Sequence, residues 1–325
     1  MKTEQKSRQR KKQFPIEHKT DAIEAAKDNG KSKKQNKKSA FQLGNYRIWT
    51  RLIVVAAVLI IAYFTQSKER ERKFATRRES IIFRSQNVDC DQNYLKEIAE
   101  YQTCVPNKCG RFVTDSLVNE SEAVALLQLA QAGFVYGGSA GGASILDLHS
   151  GALSQGETFV NIYRLAEAKG FLNDNALTVY KVVRRKIAKA ISDKFGIDVN
   201  AIYLTHPTFF SRINNQTAKT DHDEYWHPHV DKETYSAFHY TSLLYLNSYQ
   251  QDYQGGRFIF LDENKENNVT TQSTIEPKRG RVSVFTSGAE NRHHIEQVTE
   301  GTRYAVTISF TCNQKFAIAD PAEQK

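Results

Sequence analysis

The sequence predicts an α+β fold, a strand barrel or sandwich supported by helices, preceded by a single transmembrane helix and a disordered basic tail. Three observations predict it. Five β-branched or aromatic runs, divided by turn-rich stretches, fill the chain after Ala201. Two earlier segments, beginning at Ser121 and at Leu177, carry apolar residues at helical spacing. Thirteen apolar residues also run unbroken over 52–64. Helices first and short strands afterwards suit one strand layer backed by helices.

Residues 1–47 are the tail. Residues 1–50 hold 14 Lys and Arg against 5 Asp and Glu, the whole of the net +9, while the remaining 275 residues hold 31 of each. The basic balance therefore belongs to the tail and not to a nucleic-acid-binding face of the folded part, and no nucleic-acid partner is expected. KSRQRKK and KSKKQNKK contain too few apolar residues to bury a core, so disorder is expected. A nuclear-localisation signal, or a tail tethering RNA or an anionic membrane, is the rival reading of those lysines.

Residues 48–66 read as an uncleaved signal anchor. At 1.5 Å per residue they span roughly 28 Å, close to the hydrocarbon thickness. Arg51 can snorkel, and Trp49, Tyr63 and Phe64 suit the two interfaces. A buried core helix is the alternative. Basic residues flank both ends, so charge counting does not orient the span. Cys90, Cys104, Cys109 and Cys312 all follow it, as do the Asn-x-Ser/Thr sequons at Asn119, Asn215 and Asn268. The joint expectation is a type II membrane protein with a cytosolic tail and a glycosylated, disulfide-bonded domain in the secretory lumen, the endoplasmic reticulum favoured. All three pairings of the cysteines stay open. Cys104 and Cys109 lack a second ligand pair at zinc-finger spacing, so no structural zinc is expected.

The lead-in, 67–120, divides into a charged stalk (67–85) and a disulfide-tied stretch (86–120). Residues 121–200 form a helical support region: one helix starts at a Ser121 cap, and a second covers 177–195 and ends at Gly196. Between them, GGSAGGAS (137–144) reads as a flexible loop; it lacks the Lys-Ser/Thr of a phosphate-binding loop. Residues 201–325 form the strand-rich domain, with runs at 202–205, 241–246, 257–261, 281–285 and 304–310. In the last run Arg303, Ala305, Thr307 and Ser309 share one face, and Tyr304, Val306, Ile308 and Phe310 the other.

Within that domain lies His229-Val230-Asp231, then His294 63 residues after Asp231, then Arg303 nine further on. On extended backbone His229 and Asp231 project from one face, so an imidazole and a carboxylate can reach the same metal. Two histidines and one carboxylate leave open positions on an octahedral ion, as ferrous oxygenases require. Arginine offers a planar, permanently charged fork for a carboxylate. Taken alone the triplet is weak. His222-x-Glu224 and His294-x-Glu296 are rival half-sites, and a strand histidine satisfied by a neighbouring acid is the ordinary alternative.

The ordered run Pro228-His229-x-Asp231, Leu243-Leu244-Tyr245-Leu246-Asn247, Gly255-Gly256 before an apolar strand, Pro277-Lys278-x-Gly280, Phe285, His294 and Arg303-Tyr304-Ala305 resembles the prolyl 4-hydroxylase type of 2-oxoglutarate and iron(II)-dependent oxygenases. The likeness covers about 201–312, and with the anchored N-terminal half it narrows to one subgroup of that type. It implies a double-stranded β-helix, a jelly-roll barrel holding its metal inside one open end. It implies His229, Asp231 and His294 as Fe(II) ligands. His294 is preferred to His293 because Arg303 then stands at the nine-residue spacing, and His227 is the rival proximal ligand. Arg303 would pair with the distal carboxylate of 2-oxoglutarate, assisted by Tyr245, with ascorbate as a further cofactor; no other catalytic residue is implied. The expected reaction hydroxylates a peptide or protein side chain, proline favoured, and decarboxylates 2-oxoglutarate to succinate. Tyr225, Trp226, Phe238 and Tyr240 are candidates to line a substrate groove. A catalytically silent lumenal binding module on the same fold is the alternative.

Overall fold

The computed structural model describes residues 43–65, 70–264 and 269–321. They divide between Phe64 and Thr65 into two units. In the first, one helix covers Leu43–Thr65, starting five residues before the expected boundary. Its stretch Tyr46–Tyr63 is long and apolar enough to cross a membrane, and none of it is buried in the protein. Thr50, inside that stretch, donates its hydroxyl to Tyr46 O at 3.0 Å, so its polar group is satisfied within the helix. The expected disorder of 1–42 lies outside the described residues.

The second unit is built on two sheets. The larger runs, in spatial order, through Arg84–Asn87, Gly110–Thr114, Val282–Thr286, Tyr240–Tyr245, Val298–Thr311, Phe209–Asn214, Ala143–Leu146 and Ala152–Gly156. Each of those neighbouring pairs is antiparallel. The smaller orders Arg70–Ala75, Val269–Ile275, Phe258–Asn264 and His293–Ile295. Side chains of both share one core: Phe74 and Phe258, Phe260, Ile275 from the small sheet, and Val113, Leu243, Tyr245, Phe285, Ala305 from the large one. The other face of the large sheet packs Leu244, Val306, Ile308 and Phe310 against Leu126, Leu129 and Phe134 of the helix Glu120–Phe134, and against Val183, Ile187 and Ile191 of the helix Asp174–Phe195. Each such fully buried side chain stabilises by roughly 1.5–3 kcal/mol. Two sheets around one core with helices on one outer face form a mixed α/β architecture consistent with the expected jelly roll. The predicted alternation along Val298–Thr311 is seen here, with Ala305 in the inter-sheet core and Val306 and Ile308 against the helices.

Both supporting helices are capped by asparagine. Asn119 accepts from Glu122 N at 2.8 Å and Glu122 accepts from Asn119 N at 3.0 Å, a capping box. Ser121, the expected cap, sits inside the first turn instead and donates to Asn119 Oδ1. Asn173 caps the second helix, and Gly196 ends it in the left-handed region.

Two segments depart from expectation. The charged stalk is folded: Arg70–Ala75 pairs in parallel with Val269–Ile275, and Phe74 and Ala75 are buried. Its partner supplies backbone hydrogen bonds, and an edge strand commonly carries charge, so polarity misread as a stalk was an edge. GGSAGGAS contributes the strand Gly138–Ser139 and the start of Ala143–Leu146. A Cβ on Gly138 would come 1.9 Å from Arg212 Nη2, so the absence of a side chain admits a guanidinium that donates to Phe134 O and Gly137 O. The support region 121–200 therefore contains strands as well as helices.

The disulfides are Cys90–Cys109 and Cys104–Cys312, 19 and 208 residues apart. On chain entropy, replacing Cys104 and Cys312 together by serine should lower stability by about 5 kcal/mol, against about 3 for Cys90 and Cys109. Urea unfolding of both pairs of variants measures the order; equal losses would refute it.

Candidate active site

Three ligand-bearing side chains converge at one end of the inter-sheet space. His229 and His293 exchange backbone hydrogen bonds, His229 N to His293 O at 2.9 Å and His293 N to His229 O at 3.0 Å. Val230 is extended (φ −115, ψ 124), so Asp231, which opens the short helix Asp231–Thr234, comes out on the side of His229. Asp231 Oδ1 lies 3.7 Å from His229 Nε2 and 3.5 Å from His293 Nε2. One ligand atom from each residue falls within 4.8 Å of the others. His229 Nδ1 is 3.0 Å from His227 O, and His293 Nδ1 is 2.8 Å from Asn291 O. A carbonyl partner requires the proton on Nδ1, which leaves each Nε2 lone pair free for a cation. Burial pushes His293 down to about 4, opposed by the Asp231 carboxylate and reinforced by His229. That keeps the imidazole in its neutral, ligating form. Asp231 Oδ2 is buried with no hydrogen-bond partner among the described residues, a costly arrangement that a bound cation would relieve.

His294, the expected third ligand, is not in this cluster; His293 takes the position. The two are adjacent on the strand His293–Ile295 and so face opposite ways. The His293 ring packs between Phe258 and Phe285, with centroids at 4.8 and 4.9 Å. His294 lines an outer groove with Trp226, Tyr249 and Glu296. A signal existed in the sequence: i and i+2 share a face, so His293 travels with Ile295, which packs on the core, and His294 with Glu296. The rival His227 is exposed and pairs with Glu224 at 2.7 Å, outside the cluster.

Against Tyr245 of the inter-sheet core sits Arg303, fully buried. Its Nε donates to Gly256 O at 3.1 Å, while Nη1 and Nη2 are buried without hydrogen-bond partners among the described residues. The guanidinium carbon lies 5.5 Å from the Tyr245 ring centroid. The hydroxyls of Tyr245 and Tyr253 are likewise buried without hydrogen-bond partners among the described residues. Burial raises Tyr245 to about 12, with the Arg303 and Arg281 charges opposing, and raises Tyr253 in the same sense. A buried cation flanked by two hydroxyl donors fits a carboxylate of the expected cosubstrate. Tyr245 and Ala305 share their core with Phe258 and Phe285, the rings that flank His293, so the two half-sites adjoin. Tyr253 was not foreseen, because it stands in a polar turn region with no periodic signal.

Gly256 makes this fit possible. It has φ +67, and a Cβ there would come 3.0 Å from Arg303 Cδ, Tyr253 Cε2 and Val298 Cγ2. Gly256→Ala should cost about 1–3 kcal/mol and weaken cosubstrate binding by displacing the arginine. Thermal melts with and without 2-oxoglutarate measure both, and an unchanged ligand-induced shift would refute it.

Of the aromatic groove candidates, Phe238 and Tyr240 are buried, Tyr240 donating to Cys104 O at 2.8 Å. Neither lines a groove; both are core. Trp226 lines the outer groove, and the Tyr225 hydroxyl accepts from Val298 N at 3.0 Å. Asn119 and Asn215 are exposed, and Asn268 lies outside the described residues.

The 2OG-Fe(II) oxygenase superfamily matches residues 215–311. Over 281 residues the chain is 48% identical to 2-oxoglutarate and iron-dependent oxygenase domain-containing protein 3 of Xenopus tropicalis, covering 86% of this chain and 83% of that one. Against the Homo sapiens protein of the same description it is 43% identical over 317 residues, 93% of this chain and 97% of that one. A shorter likeness, 35% over 108 residues, links 33% of this chain to 14% of prolyl 3-hydroxylase 2 of Gallus gallus.

Proposed function

The chain belongs to the family of 2-oxoglutarate and iron-dependent oxygenase domain-containing protein 3, and from that premise we propose that it hydroxylates a protein or peptide side chain, prolyl in the first instance, from a membrane-anchored position in the secretory lumen. It is a 2-oxoglutarate-dependent dioxygenase whose family uses Fe(II) and 2-oxoglutarate. The observation that carries the reading is the pair of buried, unpartnered Arg303 nitrogens beside a core shared with the His-Asp-His cluster.

In this reading His229, Asp231 and His293 hold the iron, which supplies oxygen activation coupled to decarboxylation of 2-oxoglutarate to succinate. Arg303 grips the distal carboxylate, and Tyr245 and Tyr253 donate to it. The Nδ1–H bonds to His227 O and Asn291 O orient the two imidazoles. Phe258, Phe260 and Phe285 exclude water from the His293 side. Half-exposed His229 leaves the opposite side open to substrate. The likeness to a prolyl 3-hydroxylase supports proline as target, and ascorbate would keep the iron reduced. The apolar helix and the two disulfides support a type II topology with the domain in the lumen, the endoplasmic reticulum favoured, and glycosylation at Asn119, Asn215 and Asn268.

The test uses the full chain purified in detergent with Fe(II), ascorbate and 2-oxoglutarate. Succinate should form slowly without substrate, and His229→Ala should abolish it; no succinate and no 2-oxoglutarate binding would favour a silent binding module. Peptide mass spectrometry of secretory proteins with and without the chain, searching for a lost added oxygen on proline, tests the substrate. A mobility shift on glycosidase treatment tests the topology.

A further inference from the structure

We propose that Asn291 is a positioning residue, pinned by the lead-in strand Gly110–Thr114, that fixes which nitrogen of His293 faces the metal. This rests on the reading of His293 as a ligand. A neutral imidazole has two tautomers, and the acceptor opposite one nitrogen selects between them. For His293 that acceptor is Asn291 O, at 2.8 Å from Nδ1. The carbonyl belongs to a single turn, Ala289–Asn291, closed by Asn291 N to Gly288 O and Arg292 N to Ala289 O. So short a turn has little rigidity of its own.

Its rigidity comes from the Asn291 side chain, which is buried. Nδ2 donates to Thr286 O at 2.9 Å and to Gly110 O at 3.3 Å, with Thr286 Oγ1 also at 3.0 Å. Oδ1 accepts from Arg111 Nη1 at 3.4 Å. Arg111 is itself fully buried, donates through Nη2 to Asp262, and lies 4.3 Å over the Phe260 ring. Phe260 in turn packs on His293, with centroids 6.0 Å apart. Strand Gly110–Thr114 thus reaches His293 twice, through the amide of Asn291 and through the ring of Phe260. Only an amide satisfies both ends: aspartate would set a carboxylate oxygen against two carbonyls, and alanine would remove the side-chain donor to Gly110 O and the acceptor of Arg111 Nη1.

The experiment reads the histidine tautomer by nitrogen-15 NMR on the metal-free full chain in detergent, and Co(II) affinity by titration. Wild type should show His293 as the Nδ1–H form; Asn291→Asp should mix the tautomers and weaken Co(II) binding about 10- to 100-fold. Asn291→Asp that folds, keeps the Nδ1–H form and binds Co(II) as wild type does overturns the proposal. If Asn291→Asp does not fold, Arg111→Lys decides by the same two readouts, since lysine cannot fork to both Asp262 and Asn291. His293→Ala separates the two ideas. Loss of Co(II) binding there with an unaffected Asn291→Asp refutes the positioning role alone, whereas wild-type binding by His293→Ala refutes the ligand reading and this proposal with it.

Discussion

Changing His293 to alanine is expected to eliminate metal binding and succinate formation, while His294→Ala retains both. Removing a group that only orients a ligand typically costs 10- to 100-fold in metal affinity, so losing the ligand itself should exceed about 100-fold. His293 is buried with its ring between two phenylalanines, and its Nε2 lies 3.5 Å from Asp231 Oδ1. His294 faces the outer groove instead. Calorimetric titration with Fe(II) under anaerobic conditions, together with succinate assays on the two variants, is decisive. The reverse pattern would restore the nine-residue spacing argument and sink the assignment made from geometry.

Arg303→Met should raise the Kd for 2-oxoglutarate without destabilising the ligand-free protein. Losing one partner of a buried, hydrogen-bonded charge pair costs about 2–5 kcal/mol, or roughly 30- to 4,000-fold in affinity. In the ligand-free chain the guanidinium is buried with two nitrogens unpartnered among the described residues, so methionine of similar length relieves that penalty and offsets the loss of the one Nε bond to Gly256 O. The wild-type melting temperature should therefore rise with 2-oxoglutarate while that of the variant stays flat. Arg303→Lys should resemble Arg303→Met in affinity, because a point charge does not reproduce the fork. A variant that melts far below wild type in the absence of 2-oxoglutarate would mean that Arg303 is a structural hub.

The parts of this fold that the sequence revealed are those where periodicity and burial agree. The Asp174–Phe195 helix carries its apolar residues at regular spacing between an asparagine cap and Gly196. The Val298–Thr311 strand alternates cleanly because its two faces meet different partners. Val269–Ile275 escaped notice because VTTQSTI is mostly polar and is identified as a strand only by its neighbours. Of the candidate metal cluster, His229 and Asp231 were legible in the sequence and His293 was missed by one residue. His229, Asp231 and Arg303 stood in order, but spacing along the chain says nothing about which of two adjacent histidines points inward; the pleat decides. Tyr253 and Asn291 act through turns, where no period exists to announce them.

Every side chain assigned to iron or cosubstrate falls inside the loop that Cys104 and Cys312 close. Cys312 follows all of them along the chain, so that crosslink must await synthesis of the whole site, and a product cut short before it would carry Cys104 as an unmatched thiol. Closure of the loop around the site is thereby tied to the arrival of Cys312, and an orphan Cys104 thiol on a truncated chain is a chemical mark of an unfinished site.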